Sequence, residues 1–178
     1  MNQIIFVTGG ARSGKSSFAL DCASKYKNRV FIATAKAIDK EMSDRIQAHK
    51  NQRGSDYKTI EKPVNLSQAI SDLENNVEIA VIDCLTVWLG NLFYKIKELH
   101  LIQNYIDEFA SSIRKCPCKL VIVSNEVGMG IVPGNELTRQ FRDQAGNLNK
   151  KIAQIADTVV LMVSGISVAI KGNYENVW

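Results

Sequence analysis

The segment Gly9-Gly10-Ala11-Arg12-Ser13-Gly14-Lys15-Ser16 decides the fold of this chain. It fits the Walker A pattern G-x-x-x-x-G-K-[ST] at every position, and in that pattern the glycines let successive backbone N–H groups face phosphate oxygens. An apolar run rich in β-branched residues precedes it at 3–8, and a segment with helical spacing follows. We therefore expect a nucleoside triphosphate site in which Lys15 reaches the β- and γ-phosphates and the Ser16 hydroxyl holds Mg²⁺.

Apolar runs alternate with helical patterns along the rest of the chain, which is typical of a parallel α/β sheet. Ser164-Gly165, between two apolar runs, predicts a β-hairpin, and residues 65–68 resemble a capping box that opens a helix to about 75. Further strands are expected at 29–33, 57–61, 79–83 and 119–124, and helices at 40–53, 101–114 and 135–156, the last with a break at Gly146 as an alternative. The sequence thus predicts one domain over residues 1–178, an α/β P-loop NTPase fold (RecA-like) with a mainly parallel sheet flanked by helices and a C-terminal β-hairpin.

Composition excludes several classes of protein. No stretch reaches the roughly 18 to 20 apolar residues that a membrane-spanning helix needs, and Met1-Asn2-Gln3 lacks the positive start of a signal peptide, so we predict a cytoplasmic protein. The net charge of +4 is dispersed along the chain, which argues against nucleic-acid binding. Cys22, Cys84, Cys116 and Cys118 lack the spacing of a metal or redox motif and are expected to be free thiols.

Acidic residues near the ends of predicted strands are candidates to face the bound Mg²⁺. Asp83 ends the apolar run 79–82, where a Walker B acid belongs, because ligands of parallel sheets lie at the carboxyl ends of the strands. The alternative for Asp83 is a carboxylate that caps the next helix. Glu61 closes a short strand and Glu126 follows the run 119–124, so both compete for the same role.

Histidine occurs only at His49 and His100. On a helix over 40–53, His49 shares a face with Arg45 and Arg53. Neighbouring cations lower the pKa of a histidine, which favours the neutral imidazole that acts as a nucleophile, and the same cations would hold a polyphosphate leaving group. Taken alone, His49 is more readily interpreted as an ordinary exposed helix residue than as a catalytic one. His100 has no convergent partners and is interpreted as a surface or helix-start residue.

An ordered set of segments matches a known family. The segments are residues 8–16, 33–35, 39–42, 45–46, 49, 59–61, 83–89, 124–133, 139–143 and 146–149. Through these segments the chain resembles, over about residues 3–171, the bifunctional adenosylcobinamide kinase/adenosylcobinamide-phosphate guanylyltransferase of cobalamin synthesis.

The resemblance implies two reactions, one after the other. A nucleoside triphosphate, ATP or GTP, first phosphorylates the aminopropanol hydroxyl of adenosylcobinamide, and GMP is then transferred from GTP with release of pyrophosphate. It implies a GMP-histidine intermediate on His49, a corrinoid substrate and a homotrimer. The guanine-nucleotide contacts that it implies, besides the Walker A loop, are Thr34, Ala35, Lys36, Lys50, Asn51, Gln52, Arg53, Glu61 and Asp83.

Other readings of the same residues remain open. Lys50 stands where the family usually has arginine, so it keeps the charge but loses the bidentate fork. A plain small-molecule kinase with His49 as a bystander predicts no covalent nucleotide, and a nucleotide-binding switch predicts no corrinoid product. Trp88 and Phe93 are expected in the core, with a corrinoid or subunit contact as the alternative.

Overall fold

The computed structural model describes residues 3–37, 40–53 and 56–172, with the side chains at positions 45, 48, 49 and 52 outside that description. Helices and strands alternate along most of this length. In chain order they are β1 (Ile4–Gly9), α1 (Lys15–Ala23), β2 (Arg29–Ala33), α2 (Lys40–Arg53), β3 (Lys58–Glu61), α3 (Leu66–Ser71), β4 (Ile79–Asp83), α4 (Leu85–Lys95), α5 (Leu99–Arg114), β5 (Lys119–Val123), α6 (Glu136–Ile155), β6 (Thr158–Val163) and β7 (Ile166–Lys171).

The strands form one sheet in the order β3-β2-β4-β5-β1-β6-β7. All neighbouring pairs are parallel except β6 and β7, which form the predicted C-terminal hairpin. The six parallel strands therefore end at the same edge of the sheet, which we call the carboxyl edge. β5 lies between β1, which leads into the Walker A segment, and β4, which ends at Asp83.

Each face of the sheet contributes to its own apolar core, because side chains of a strand alternate between faces. Ile4 and Phe6 of β1 belong to the larger core beneath α3 to α6, whereas Ile5 and Val7 belong to the core beneath α1. Strands covered on both faces are continuous apolar runs, which is why β1, β4 and β5 are evident in the sequence.

The larger core contains the two aromatic side chains for which the sequence allowed either core packing or a ligand or subunit contact. Trp88 is fully buried and packs against Phe109 with ring centroids 5.2 Å apart, and its indole N–H donates to the Val64 carbonyl oxygen. Phe93 packs against the same core and meets Phe141 edge to face at 5.5 Å. The expectation of core packing for Trp88 and Phe93 is confirmed.

One local prediction is only partly confirmed, one helix was not predicted, and one helix is unbroken. Asn65 is the N-cap of α3 as predicted, but it makes no side-chain cap bond, because its backbone (φ −88°, ψ 73°) departs from the extended conformation of an N-cap, and the helix already ends at Ser71. Helix α4 was not predicted. Helix α6 continues through Gly146, since Asn135 caps it at Thr138 and Ala145 and Leu148 anchor its buried face.

The cysteines and the membrane-spanning potential of the helices can be stated for the described residues. Within them, all four cysteines are free thiols, with Cys116 and Cys118 sulfur atoms 3.6 Å apart. In the same part of the chain, no helix combines the length and the apolar character needed to cross a membrane.

Candidate active site

The Walker A segment forms a tight loop between β1 and α1. Gly9 has φ 149° and Gly14 has φ 95°, a region that favours glycine. A Cβ atom at Gly9 would collide with the backbone carbonyl oxygen of Met162, so only glycine fits there. Residues 10–12 are exposed, whereas Ser13 is buried and Ser16 is half-buried in the first turn of α1.

Lys15 lies across this loop. Its Nζ donates to the Gly10 carbonyl oxygen at 2.5 Å and lies 3.4 Å from Ser13 Oγ. Burial lowers the pKa of Lys15, and the neighbouring carboxylate of Asp83 acts in the opposite direction. A cation that has lost part of its hydration gains most from an anionic ligand, and the neighbouring loop supplies backbone N–H groups for the same anion.

Two distant segments contact the loop from opposite sides. The Gly165 N–H of the β6–β7 turn donates to the Ser13 carbonyl oxygen at 3.0 Å. The Glu126 N–H, just after β5, donates to the Gly9 carbonyl oxygen at 2.9 Å. These bonds hold the loop in a fixed shape before any ligand binds, and no sequence signal pointed to either of them.

Asp83 ends β4 at the carboxyl edge and is half-buried. Its charge raises the pKa of both Lys15 and Arg53, so it faces the same region as these cations. The alternative role as a helix cap is not realised, because Cys84 occupies the N-cap position of α4. Burial raises the pKa of the Cys84 thiol to about 12, which rules out a thiolate nucleophile beside Asp83.

Residues 34–36 follow β2 at the carboxyl edge. Thr34 is fully buried, and its hydroxyl both donates to the Cys84 carbonyl oxygen at 2.9 Å and accepts from the Cys84 N–H at 2.8 Å. Asn91 donates to the Thr34 carbonyl oxygen at 2.8 Å. Thr34 thus joins the ends of β2 and β4, whereas Ala35 is half-buried and Lys36 is exposed.

The end of α2 brings predicted site residues toward the carboxyl edge. Lys50 forms an exposed ion pair with Glu61 at 3.0 Å, at the end of β3. Arg53 is buried, and its guanidinium carbon lies 3.8 Å from the centroid of the Phe31 ring. Burial lowers the pKa of Arg53, while the charges of Asp83 and Glu61 counteract that shift. Arg53, Glu61 and Asp83 therefore share one electrostatic environment.

The remaining α2 residues are only partly described. His49 lies in α2, four residues before Arg53, but its side chain and those of Arg45 and Gln52 lie outside the described residues. Asn51 accepts a hydrogen bond from Gln47 at 2.9 Å on an exposed surface. The catalytic role of His49 stays a prediction.

A polar cluster anchors the segment that follows β5, with Ser124 and Asn149 buried and Thr86 and Asn125 half-buried. Thr86 Oγ1 accepts from the Asn125 N–H at 2.7 Å and is 3.2 Å from Ser124 Oγ, and Asn149 Nδ2 donates to the Asn125 carbonyl oxygen at 3.1 Å. The sequence indicated these residues only as matches to the family pattern. A polar side chain such as Asn149 on the apolar face of a helix is the signal that would have found the cluster.

Comparisons with known proteins identify the family of this chain. A family model described as cobinamide kinase / cobinamide phosphate guanyltransferase matches residues 5–170. The bifunctional adenosylcobalamin biosynthesis protein CobU of Escherichia coli (strain K12) is 38% identical and aligns with 94% of this chain over 99% of its own length. The protein of the same description from Salmonella typhimurium (strain LT2) is 40% identical with the same shares covered.

A solved structure supports the fold class. The RadB recombinase superposes with a TM-score of 0.56 at 12% identity, covering 97% of this chain and 82% of that chain. This likeness concerns the fold alone, and it confirms the predicted P-loop NTPase class. The family match over residues 5–170 and the two relatives lead to the conclusion that the chain belongs to the cobinamide kinase / cobinamide phosphate guanyltransferase family.

Proposed function

We propose that this chain phosphorylates adenosylcobinamide and then transfers GMP from GTP to the product, within one domain. The observation that carries the proposal is the complete Walker A loop with the buried Lys15 lying across it, in a chain whose relatives are named as bifunctional. A plain kinase and a nucleotide-binding switch require the same loop but give no reason for the cationic end of α2.

In the phosphorylation step, the loop N–H groups and Lys15 would hold the β- and γ-phosphates. The substrate hydroxyl oxygen would form a bond to the γ-phosphorus, the bond between the γ-phosphorus and the bridging oxygen of the β-phosphate would break, and the hydroxyl proton would pass to solvent water. Lys15 offsets negative charge on the transferring group, and the fixed loop reduces the reorganisation that the reaction needs. The donor would be ATP or GTP.

Ser16 and Asp83 are the residues that would hold Mg²⁺. One hydroxyl and one carboxylate suit this ion, which keeps several waters and takes its other ligands from the phosphates. Among the described residues, no group of three or more His, Cys, Asp or Glu side chains forms a separate metal site. When bound, the ion would neutralise charge on the phosphates.

In the nucleotidyl step, the His49 imidazole nitrogen would attack the α-phosphorus of GTP, and pyrophosphate would leave. An oxygen of the corrinoid phosphate would then attack the same phosphorus and break the nitrogen–phosphorus bond. This route divides one difficult displacement into two, since neutral imidazole is both a good nucleophile and a good leaving group. Thr34, Ala35, Lys36, Lys50, Asn51, Gln52, Arg53 and Glu61 are the proposed nucleotide contacts beyond the loop.

The function is tested by product analysis with full-length protein, adenosylcobinamide, Mg²⁺ and either ATP or GTP. We expect the corrinoid to gain one phosphoryl group, and to gain GMP only when GTP is present. A reaction that ends at the phosphate would identify a plain kinase, and a chain that binds GTP without a corrinoid product would identify a switch. If products still form after a chelator has removed Mg²⁺, the Mg²⁺ assignment is contradicted.

We also propose a cytoplasmic homo-oligomer, a trimer, that acts on small molecules and binds no nucleic acid. Support comes from the edge strand β7, where Ile166, Val168 and Ile170 are exposed although apolar. An apolar strand with unpaired edge groups is normally covered by another chain.

Native mass spectrometry at micromolar concentration is expected to give three times the chain mass of 19.8 kDa. Ile166→Glu should shift the population toward monomer, since a charge would be buried at the contact. Tyr94→Glu is the matched control, because Tyr94 is 95% exposed on α4. A monomeric parent protein would contradict the proposal.

A further inference from the structure

Four exposed apolar side chains lie close together in sequence after β5. Met129 is 80% exposed, Ile131 96%, Val132 61% and Leu137 62%. We call these four residues the apolar patch. Single exposed apolar residues are ordinary, but four of them within nine positions, three in the loop after β5 and one in the first turn of α6, make this segment a candidate binding surface.

The patch begins beside the phosphate loop. Glu126 donates its N–H to the Gly9 carbonyl oxygen at 2.9 Å, so the segment that carries the patch starts in contact with the Walker A segment. At about 3.6 Å per extended residue, the Met129 Cα lies within about 11 Å of the Glu126 Cα. The patch therefore starts within about 11 Å of a residue that contacts the Walker A segment, at the edge of the sheet where ligands of such folds bind.

The backbone of this segment is fixed at both ends. At its start, Asn125 is bonded to Thr86 and Asn149, at 2.7 and 3.1 Å. At its end, Arg139 Nη1 donates to the carbonyl oxygens of Pro133 and Gly134, at 3.1 and 2.6 Å. A surface held in this way loses little conformational entropy when a ligand binds, which favours affinity.

We propose that the apolar patch binds the corrin macrocycle of the corrinoid substrate, an inference that rests on the function proposed above. A nucleotide needs no apolar surface beyond its base, whereas a corrin ring has broad apolar faces with methyl groups and amides at the periphery. Its reacting hydroxyl lies at the end of a side chain, so the ring must rest beside the phosphate loop when the hydroxyl reaches the γ-phosphate. Gly130 lies between two patch residues with open space around it, which leaves its backbone free to meet peripheral amides.

The test measures cobinamide binding by equilibrium dialysis, with the visible absorption of the corrin ring as the signal. Met129→Asp combined with Ile131→Asp is the test variant, because both side chains are so exposed that the fold does not depend on them. Tyr94→Asp, on α4, is the matched control. We expect the double variant to raise the Kd for cobinamide at least about tenfold and its KM similarly, with kcat and GTP binding unchanged.

Three results would overturn the inference. The first is that the double variant binds cobinamide as tightly as the parent protein. The second is that the control variant weakens binding equally. The third is that the double variant loses oligomer mass together with affinity. The last result would assign the patch to a contact with a second copy of the chain. If the parent protein neither binds nor phosphorylates cobinamide, the proposed function itself is refuted. Measuring the parent protein therefore separates failure of the proposed function from failure of the patch assignment.

Discussion

Lys15→Met is expected to lower the rates of both reactions by about 10²–10³-fold, the loss typical of removing a group that stabilises transition-state charge. Lys15 is the cation that lies across the Walker A loop, bonded to the Gly10 carbonyl oxygen at 2.5 Å. Methionine has a similar length and no charge, so the loop keeps its packing but loses the group that offsets the phosphate charge. Steady-state rates with saturating cobinamide and varied GTP measure the effect.

Asp83→Asn serves as the contrasting variant. It keeps the size of the side chain but removes the proposed carboxylate ligand of Mg²⁺, so we expect a smaller loss that high Mg²⁺ partly restores. Lys15→Met should not respond to Mg²⁺. Equal behaviour of the two variants across a Mg²⁺ titration would contradict their separate roles.

The second large effect is expected at His49. His49→Asn should abolish the covalent GMP adduct and reduce nucleotidyl transfer by about 10⁴-fold or more, the scale that follows loss of a covalent nucleophile. Phosphorylation of cobinamide should continue, because that step needs the loop rather than the imidazole. Intact-protein mass spectrometry after incubation with GTP and Mg²⁺ detects the adduct, which should be stable to alkali and labile to acid.

His100→Asn is the matched control, since the chain has only two histidines and His100 is exposed in the first turn of α5. This variant should form the adduct as the parent protein does. Persistence of the adduct in His49→Asn, or its loss in His100→Asn, would remove His49 from the mechanism. Loss of both reactions in His49→Asn would indicate damage to the fold instead.

Much of the fold could be predicted because its signals are local. β1 and β4 are continuous apolar runs, and a two-residue turn with glycine marks the final hairpin. Helix α4 escaped prediction because its residues are mostly apolar and include Gly90, so neither a helical nor a strand period stands out. The strand order was also out of reach, because the placement of β5 between β1 and β4 depends on pairing between distant segments.

Part of the candidate site could likewise be predicted from a local motif, whereas the rest depends on contacts between distant segments. The Walker A loop is a local motif, and the sequence alone predicted both Lys15 and Ser16. The contacts that Glu126 and Gly165 make with the loop are invisible in the sequence, because more than a hundred residues separate the partners. The role of Asp83 was predicted from strand topology and remains a prediction, although its charge does face Lys15.

The pairing of β1 has a consequence for protein synthesis. Ile5 pairs with Val121 on one side and with Thr158 on the other, so β1 leaves the ribosome more than a hundred residues before either neighbour. Until then its apolar side chains have no sheet to join, and the loop that follows lacks the bonds from Glu126 and Gly165. A nascent chain therefore carries the complete phosphate-binding motif without the structure that shapes it until β5 and β6 have followed, and the ability to hold a nucleotide arises only after Gly165 has been made.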